Sequence, residues 1–237
     1  MHYWNQEYYE TLRAVGEAYA SRDGFQNYAQ YCLLKERGLN KDAVKSANVF
    51  VADLNDLSCD RQRDIVSELA ELDFRNNNIT SLLPHPIKVF MEATLRDWVE
   101  AEPECTIAFR WLGFLTRNIE ILEKAHKLDP SDEIVASRIA WWELDDIHYQ
   151  THELGRSLFV GKIGDAKNSL ARVKILIDGL LSSDIRDPLL KEFSYYSCVA
   201  SAWCRFKKQT IELDFLEWCS RYNDGHGFLC EDLHSAD

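Results

Sequence analysis

The chain has 237 residues, with 27 Lys and Arg against 39 Asp and Glu, a formal net charge of −12 and 46% hydrophobic residues. That is a globular composition, which excludes a disordered, collagen-like or low-complexity chain. With 10 glycines and 5 prolines it is also too poor in turn residues for an all-β protein. Acidic residues outnumber basic ones in each of the segments 1–80, 81–130, 131–187 and 188–237. Such a surface repels a phosphate backbone, so nucleic-acid binding is not expected.

Apolar spacing predicts an all-α fold of about ten helices, arranged as a bundle or a short irregular α-solenoid of antiparallel helix pairs. The first three fall near 5–20, 25–37 and 41–56. In the third, Ala43, Ala47, Phe50, Leu54 and Leu57 recur at three and four residues. The run Lys35-Glu36-Arg37-Gly38 reads as a helix end, a basic last turn followed by glycine. A fourth helix near 61–73 carries Ile65, Leu69 and Leu72 on one face. The basic clusters Lys35, Arg37, Lys41, Lys45 and Arg205, Lys207, Lys208 read as solvated helix faces. The stretch 76–86, opened by Asn76-Asn77-Asn78, is the best linker candidate. It marks a candidate sub-boundary between N-terminal helices, 1–75, and a helical-pair body, 86–237. With helices on both sides, a single domain over 1–237 is expected.

Six further helices are predicted at 86–100, 104–116, 118–128, 131–154, 166–181 and 188–222, the last with a break. Pro86, Pro103, Pro130 and Pro188 each stand before an amphipathic stretch, where the missing N–H of proline is tolerated. Asp129 and Asp187 precede two of them as candidate caps. Alternating strand patterns are absent, as are hairpin turn signals between apolar runs. The longest uncharged run of interest, 193–204, has twelve residues, short of the about 20 that span a bilayer. The first residues show no basic region followed by an apolar run. A cytoplasmic protein without membrane contact is therefore expected.

Phe109, Leu112 and Gly113 fall in the pattern of a first repeat helix, with a small residue where a paired helix approaches. Ala125 stands five residues before Pro130, and Ala136, Ile139 and Ala140 follow. Over about 109–140 these positions resemble a tetratricopeptide repeat. The spacing between the two halves is seven residues shorter than in that family, and the helix after Pro130 is longer. The resemblance implies helix pairs with a groove that binds a partner peptide or protein.

One run carries candidate chemistry: Asp145, His148 and His152, three and four apart, share one helix face. Two imidazoles and a carboxylate are a ligand set for a divalent transition metal. Glu123 with His126, and Glu231 with His234, repeat the Glu-x-x-His spacing used by di-iron bundles. Against this, the apolar stripe of the same helix is Ala140, Leu144, Ile147, Leu154 and Leu158. The trio then lies on its solvated shoulder. Trp141 and Trp142 are adjacent and cannot both face one core, so the pair, Trp141 and Trp142, is the candidate interaction site.

Gly155, Gly161, Lys162 and Gly164 lack the order of a phosphate-binding loop, and no strand precedes them, so a turn is expected there. The seven cysteines, Cys32, Cys59, Cys105, Cys198, Cys204, Cys219 and Cys230, form no C-x-x-C pair and read as thiols in a reducing compartment. No catalytic residue and no cofactor site is identified.

The leading expectation is a non-enzymatic intracellular protein that binds another protein. A specific version is an acidic immunity or antitoxin-type inhibitor that captures a basic domain by charge complementarity. The alternatives are a metal-dependent helical-bundle enzyme using the Asp145, His148 and His152 face, and a self-assembling structural protein. The sequence leaves the oligomeric state open.

Overall fold

A computed structural model describes residues 6–76, 79, 81–209 and 213–222. It is all-α, with eleven α-helices and no strand among the described residues. The chain forms two compact units, Met1–Leu128 and Asp129–Asp237. No helix among the described residues is long and apolar enough to cross a membrane.

The first unit contains α1 (Gln6–Tyr19), α2 (Gln26–Glu36), α3 (Asn40–Asn55), α4 (Cys59–Arg75), α5 (His85–Ala101), α6 (Thr106–Thr116) and α7 (Ile119–Leu128). Neighbours in sequence pack as α1 on α2, α2 on α3, α4 on α5, α5 on α6 and α6 on α7, while α3 also meets α5 and α4 meets α6. The stripe Ala43, Ala47, Phe50 and Leu54 is fully buried. Leu57, which continues that spacing, lies beyond the end of α3 and is exposed.

Gly38 ends α2 as its position suggests. It takes a φ of 75°, its N–H donates to the Lys35 carbonyl, and the Leu39 N–H reaches back to Leu34. Only glycine enters this left-handed region without a Cβ penalty. Two other glycines set helix separations. A Cβ on Gly16 would stand 2.7 Å from Leu33 Cγ, and one on Gly113 would stand 2.6 Å from Leu122 Cδ2.

The stretch 76–86 lies inside this unit, between α4 and α5. Ile79, Leu82 and Leu83 are buried in its core. The Tyr28 hydroxyl donates to the Leu82 carbonyl at 3.3 Å, and the Tyr31 hydroxyl donates to the Ser81 carbonyl. The Tyr8 hydroxyl reaches Ser81 Oγ. On the α4 side, Glu68 accepts from the Tyr19 hydroxyl at 2.8 Å and from both terminal nitrogens of Arg22. The Arg22 guanidinium also lies 4.9 Å from the Tyr19 ring centre.

The second unit contains α8 (Glu133–Thr151), a 3-10 turn (Leu154–Arg156), α9 (Ile163–Asp178), α10 (Ser183–Phe206) and α11 (Phe215–Tyr222). Helices α8, α9 and α10 pack on one another, and α11 packs on α10 and the 3-10 turn. The nearly buried Glu143 of α8 pairs with Arg172 of α9 at 3.1 Å. Trp203, Phe206, Phe215 and Trp218 form a ring cluster with centres 5.2 to 6.3 Å apart, and Phe159 stacks on Trp203. Of the basic group that reads as a solvated face, Lys207 Nζ lies 5.0 Å from the Trp203 ring centre and the Arg205 guanidinium 5.8 Å from that of Trp218. Both are exposed and cover aromatic surface.

Two proposed caps are corrected. Asp132, not Asp129, caps α8, accepting from the N–H groups of Ile134 and Val135. Asp129 instead orders the turn before it through Ser131. Asp187 caps nothing, because α10 begins at Ser183 and Pro188 sits inside it. Glu133 supplies the missing acceptor for this helix start, taking the N–H groups of Leu181 and Ser182. The stretch 188–222 is two helices, α10 and α11, and α8 stops at Thr151 rather than 154. Pro86 does lie in the first turn of α5.

Two outcomes follow from this packing. Leu122 is fully buried, so Gly113→Ala overpacks the α6–α7 contact. The cost, about 1–3 kcal/mol, exceeds the about 1 kcal/mol that alanine gains in helix propensity. Thermal melting of Gly113→Ala falls; a rise would show that α6 and α7 are not in this close register. Gly16→Ala costs less, because Leu33 is only half-buried and turns aside.

Burial also raises several pKa values. It lifts the Cys32 thiol from 9.0 to about 12, with Tyr28 opposing. Tyr19 goes from 10.0 to about 12, through burial first and then its bond to Glu68. Tyr28 and Tyr31 move in the same direction for the same first reason. Each is neutral when folded and ionises more readily when unfolded. Their contribution is therefore complete below about pH 9 and lost as pH climbs towards about 12. Denaturant midpoints decline over that alkaline window, and less steeply in Cys32→Ala; a flat profile would contradict the burial of these groups.

Candidate functional site

The longest exposed chemical surface proposed from the sequence is one side of α8. Two neighbouring stripes run along it at helical spacing: Trp141, Asp145, His148, His152, and Trp142, Asp146, Tyr149, Glu153. The helix presents them rigidly, because Val135, Ile139, Ala140, Leu144 and Ile147 bury its opposite side. Thr151 closes its last turn, its hydroxyl donating to the carbonyls of Ile147 and His148.

Asp145, His148 and His152 are all exposed and share this side. They are not brought together as a ligand set. His148 Nδ1 lies 2.9 Å from the Tyr196 hydroxyl of α10. Burial first, then the charges of Glu192, Tyr195 and Asp145, raises the pKa of Tyr196. The phenol thus stays protonated and can donate to Nδ1. His152 Nδ1 contacts the Tyr149 carbonyl, and its Nε2 lies 3.3 Å from Glu153. Both its nitrogens therefore lie against groups of its own chain segment rather than against Asp145 or His148.

Among the described residues no three His, Cys, Asp or Glu side chains are grouped so as to hold a metal ion. His126 is half-buried on α7, while Glu231, His234 and Cys230 lie outside the described residues. Tyr196 was missed by sequence reasoning. It stands 48 residues from His148, and no local spacing announces it.

Trp141 and Trp142 are both half-buried, rather than one buried and one exposed. The exposed ring on this side is Tyr149, 64% accessible and stacked on His152 with centres 5.1 Å apart. Asp145 and Asp146 stand exposed one turn before it, while Glu153, one turn after, is half-buried and pairs with Arg156 at 3.1 Å.

The glycine-rich segment that follows is a turn. Ser157 takes a φ of 56° and Gly161 a φ of 92°. The Val160 N–H donates to the Gln150 carbonyl, and Ser157 Oγ accepts the Phe215 N–H at 2.7 Å. The N–H groups of Arg156, Ser157 and Leu158 are likewise taken by the carbonyls of Glu153 and Leu154.

No known family, curated protein or solved structure matches the chain.

The site geometry gives one direct test. Because His148 and His152 are committed to Tyr196, Tyr149 and Glu153, an equimolar addition of zinc leaves the melting temperature unchanged. A zinc-dependent rise that disappears in His148→Ala would restore the metal reading.

Proposed function

We propose that the chain is a non-enzymatic helical protein that binds a basic protein partner through the exposed side of α8. One observation carries this reading: the exposed Tyr149 ring, one turn after the exposed Asp145 and Asp146 on a helix whose opposite side is buried. An exposed aromatic ring on a rigid element is a typical anchor of protein interfaces. Carboxylates around it favour Lys and Arg side chains, which also stack on the ring. The net charge of −12 adds a long-range attraction for such a partner.

The half-buried Trp141 and Trp142, about two turns before Tyr149, extend the surface. The tetratricopeptide-like reading of 109–140 belongs to this proposal. It is supported by the close approach of Gly113 to Leu122, the contact for which that family uses a small residue. Thiols at Cys32, Cys59, Cys105, Cys198, Cys204 and Cys219 support a reducing, cytoplasmic setting. In this setting the protein acts as an inhibitor of the immunity type, its partner a basic domain.

Site-specific crosslinking tests the reading. A photoreactive phenylalanine analogue at position 149 gives one dominant adduct in the native cell. The same probe at the exposed Lys167 of α9 does not. Purified partner then binds about tenfold or more weakly to the double variant Asp145→Lys, Asp146→Lys, and less tightly as salt rises. Equal adducts from both positions, or affinity indifferent to charge reversal, would remove the α8 side as the interface.

A further inference from the structure

In the first unit, α4, α5 and α6 leave a cavity of about 120 Å³. Its aromatic wall is Phe74, Trp111 and Phe114. The Phe74 and Phe114 rings meet edge to face at 5.1 Å, and Trp111 lies 5.6 Å from Phe114. Ala70 lines the cavity from α4. Trp111 and Ala70 are themselves almost fully buried, so this wall is a built part of the unit.

The charged lining is Asp73, Lys88 and Arg117, and both cations are exposed, which places them at the solvent side. Two cations against one carboxylate make this mouth locally positive on a chain whose net charge is −12.

Arg117 is a second, independent mark. It ends α6 in the left-handed region, at φ 51°, with the Asn118 N–H returning to the Gly113 carbonyl. At the matching position after α2 the chain uses Gly38. A side chain here is less favourable than glycine. Backbone strain held at a non-glycine residue concentrates at functional sites. The strained residue is one of those that line the cavity.

We infer that this cavity binds a small monocarboxylate with a ring or branched apolar body. The body enters among Phe74, Trp111 and Phe114, and the carboxylate stays at the mouth with Arg117 and Lys88. The space, about 120 Å³, is somewhat smaller than the about 150 Å³ that encloses a benzene ring, so it takes a small apolar group or one edge of a ring. The guanidinium fork matches a carboxylate with two parallel hydrogen bonds. This site belongs to the first unit and is independent of the α8 reading.

The probe is 4-fluorobenzoate, followed by fluorine nuclear magnetic resonance on the whole chain. Saturable binding in the millimolar range or tighter is expected, with none for the neutral 4-fluorobenzamide or the cationic 4-fluorobenzylamine. Arg117→Gly weakens it about tenfold or more, the effect of losing a charge-assisted hydrogen bond. Its melting temperature holds or rises, because glycine suits the backbone there. Ala70→Met fills the cavity and blocks binding; Arg117→Gly carries the test should that variant fold poorly. No saturable binding, equal affinity for the benzamide, or binding that survives Arg117→Gly overturns the inference.

Discussion

The first unit depends on two hydroxyl groups reaching two carbonyls. Residues 79 and 81–83 are not helical, so their backbone groups have no ladder of their own, yet Ile79, Leu82 and Leu83 are buried. A buried carbonyl left without a donor costs on the order of 1–3 kcal/mol. Tyr31 and Tyr28 of α2 supply donors to Ser81 and Leu82. With those groups satisfied, the connection between α4 and α5 becomes core, and α5 is set against α3, α4 and α6. The same two phenols are among the groups whose pKa values burial raises most. The constraint that closes the unit is therefore also its point of alkaline weakness.

Most helices were legible because a helix that buries one side must repeat apolar residues at three and four. The pattern fails where something other than periodicity sets a boundary. Leu57 and Leu158 continue their stripes in sequence, but α3 and α8 have already stopped, and both side chains are exposed. Pro188 reads as a helix start, since proline suits a first turn. A carboxylate from another helix, Glu133, takes the N–H groups of Leu181 and Ser182, seven and six residues earlier, and α10 starts at Ser183. The three asparagines of 76–78 read as a linker because polarity is a local property. Tethering by Tyr28 and Tyr31 is not.

The candidate sites show the same division. Helical spacing places Asp145, His148 and His152 on one side of α8 correctly, and it foretells their exposure. It says nothing of Tyr196, which takes His148 from across the unit, or of the Tyr149 carbonyl, which takes His152. The aromatic cavity was invisible for a related reason. Phe74, Lys88, Trp111 and Arg117 come from separate helices and their ends, so no window of sequence contains the site. What is legible there is the single anomaly of arginine at a helix terminus where α2 employs glycine.

The ring cluster of the second unit has a consequence for how the protein is made. Its members span Phe159 to Trp218, and Phe215 and Trp218 are buried by packing on Trp203 and Phe206. The first unit has its whole set of helices once Leu128 has left the ribosome. It can begin to fold while translation continues, about 5–20 s before α11 is synthesised at ordinary elongation rates. During that interval the emerging second half holds unsatisfied aromatic surface that attracts chaperones. Ribosome stalling after Leu128 has emerged and before α11 is made would thus leave a first half free to fold joined to a nascent segment whose aromatic cluster is incomplete.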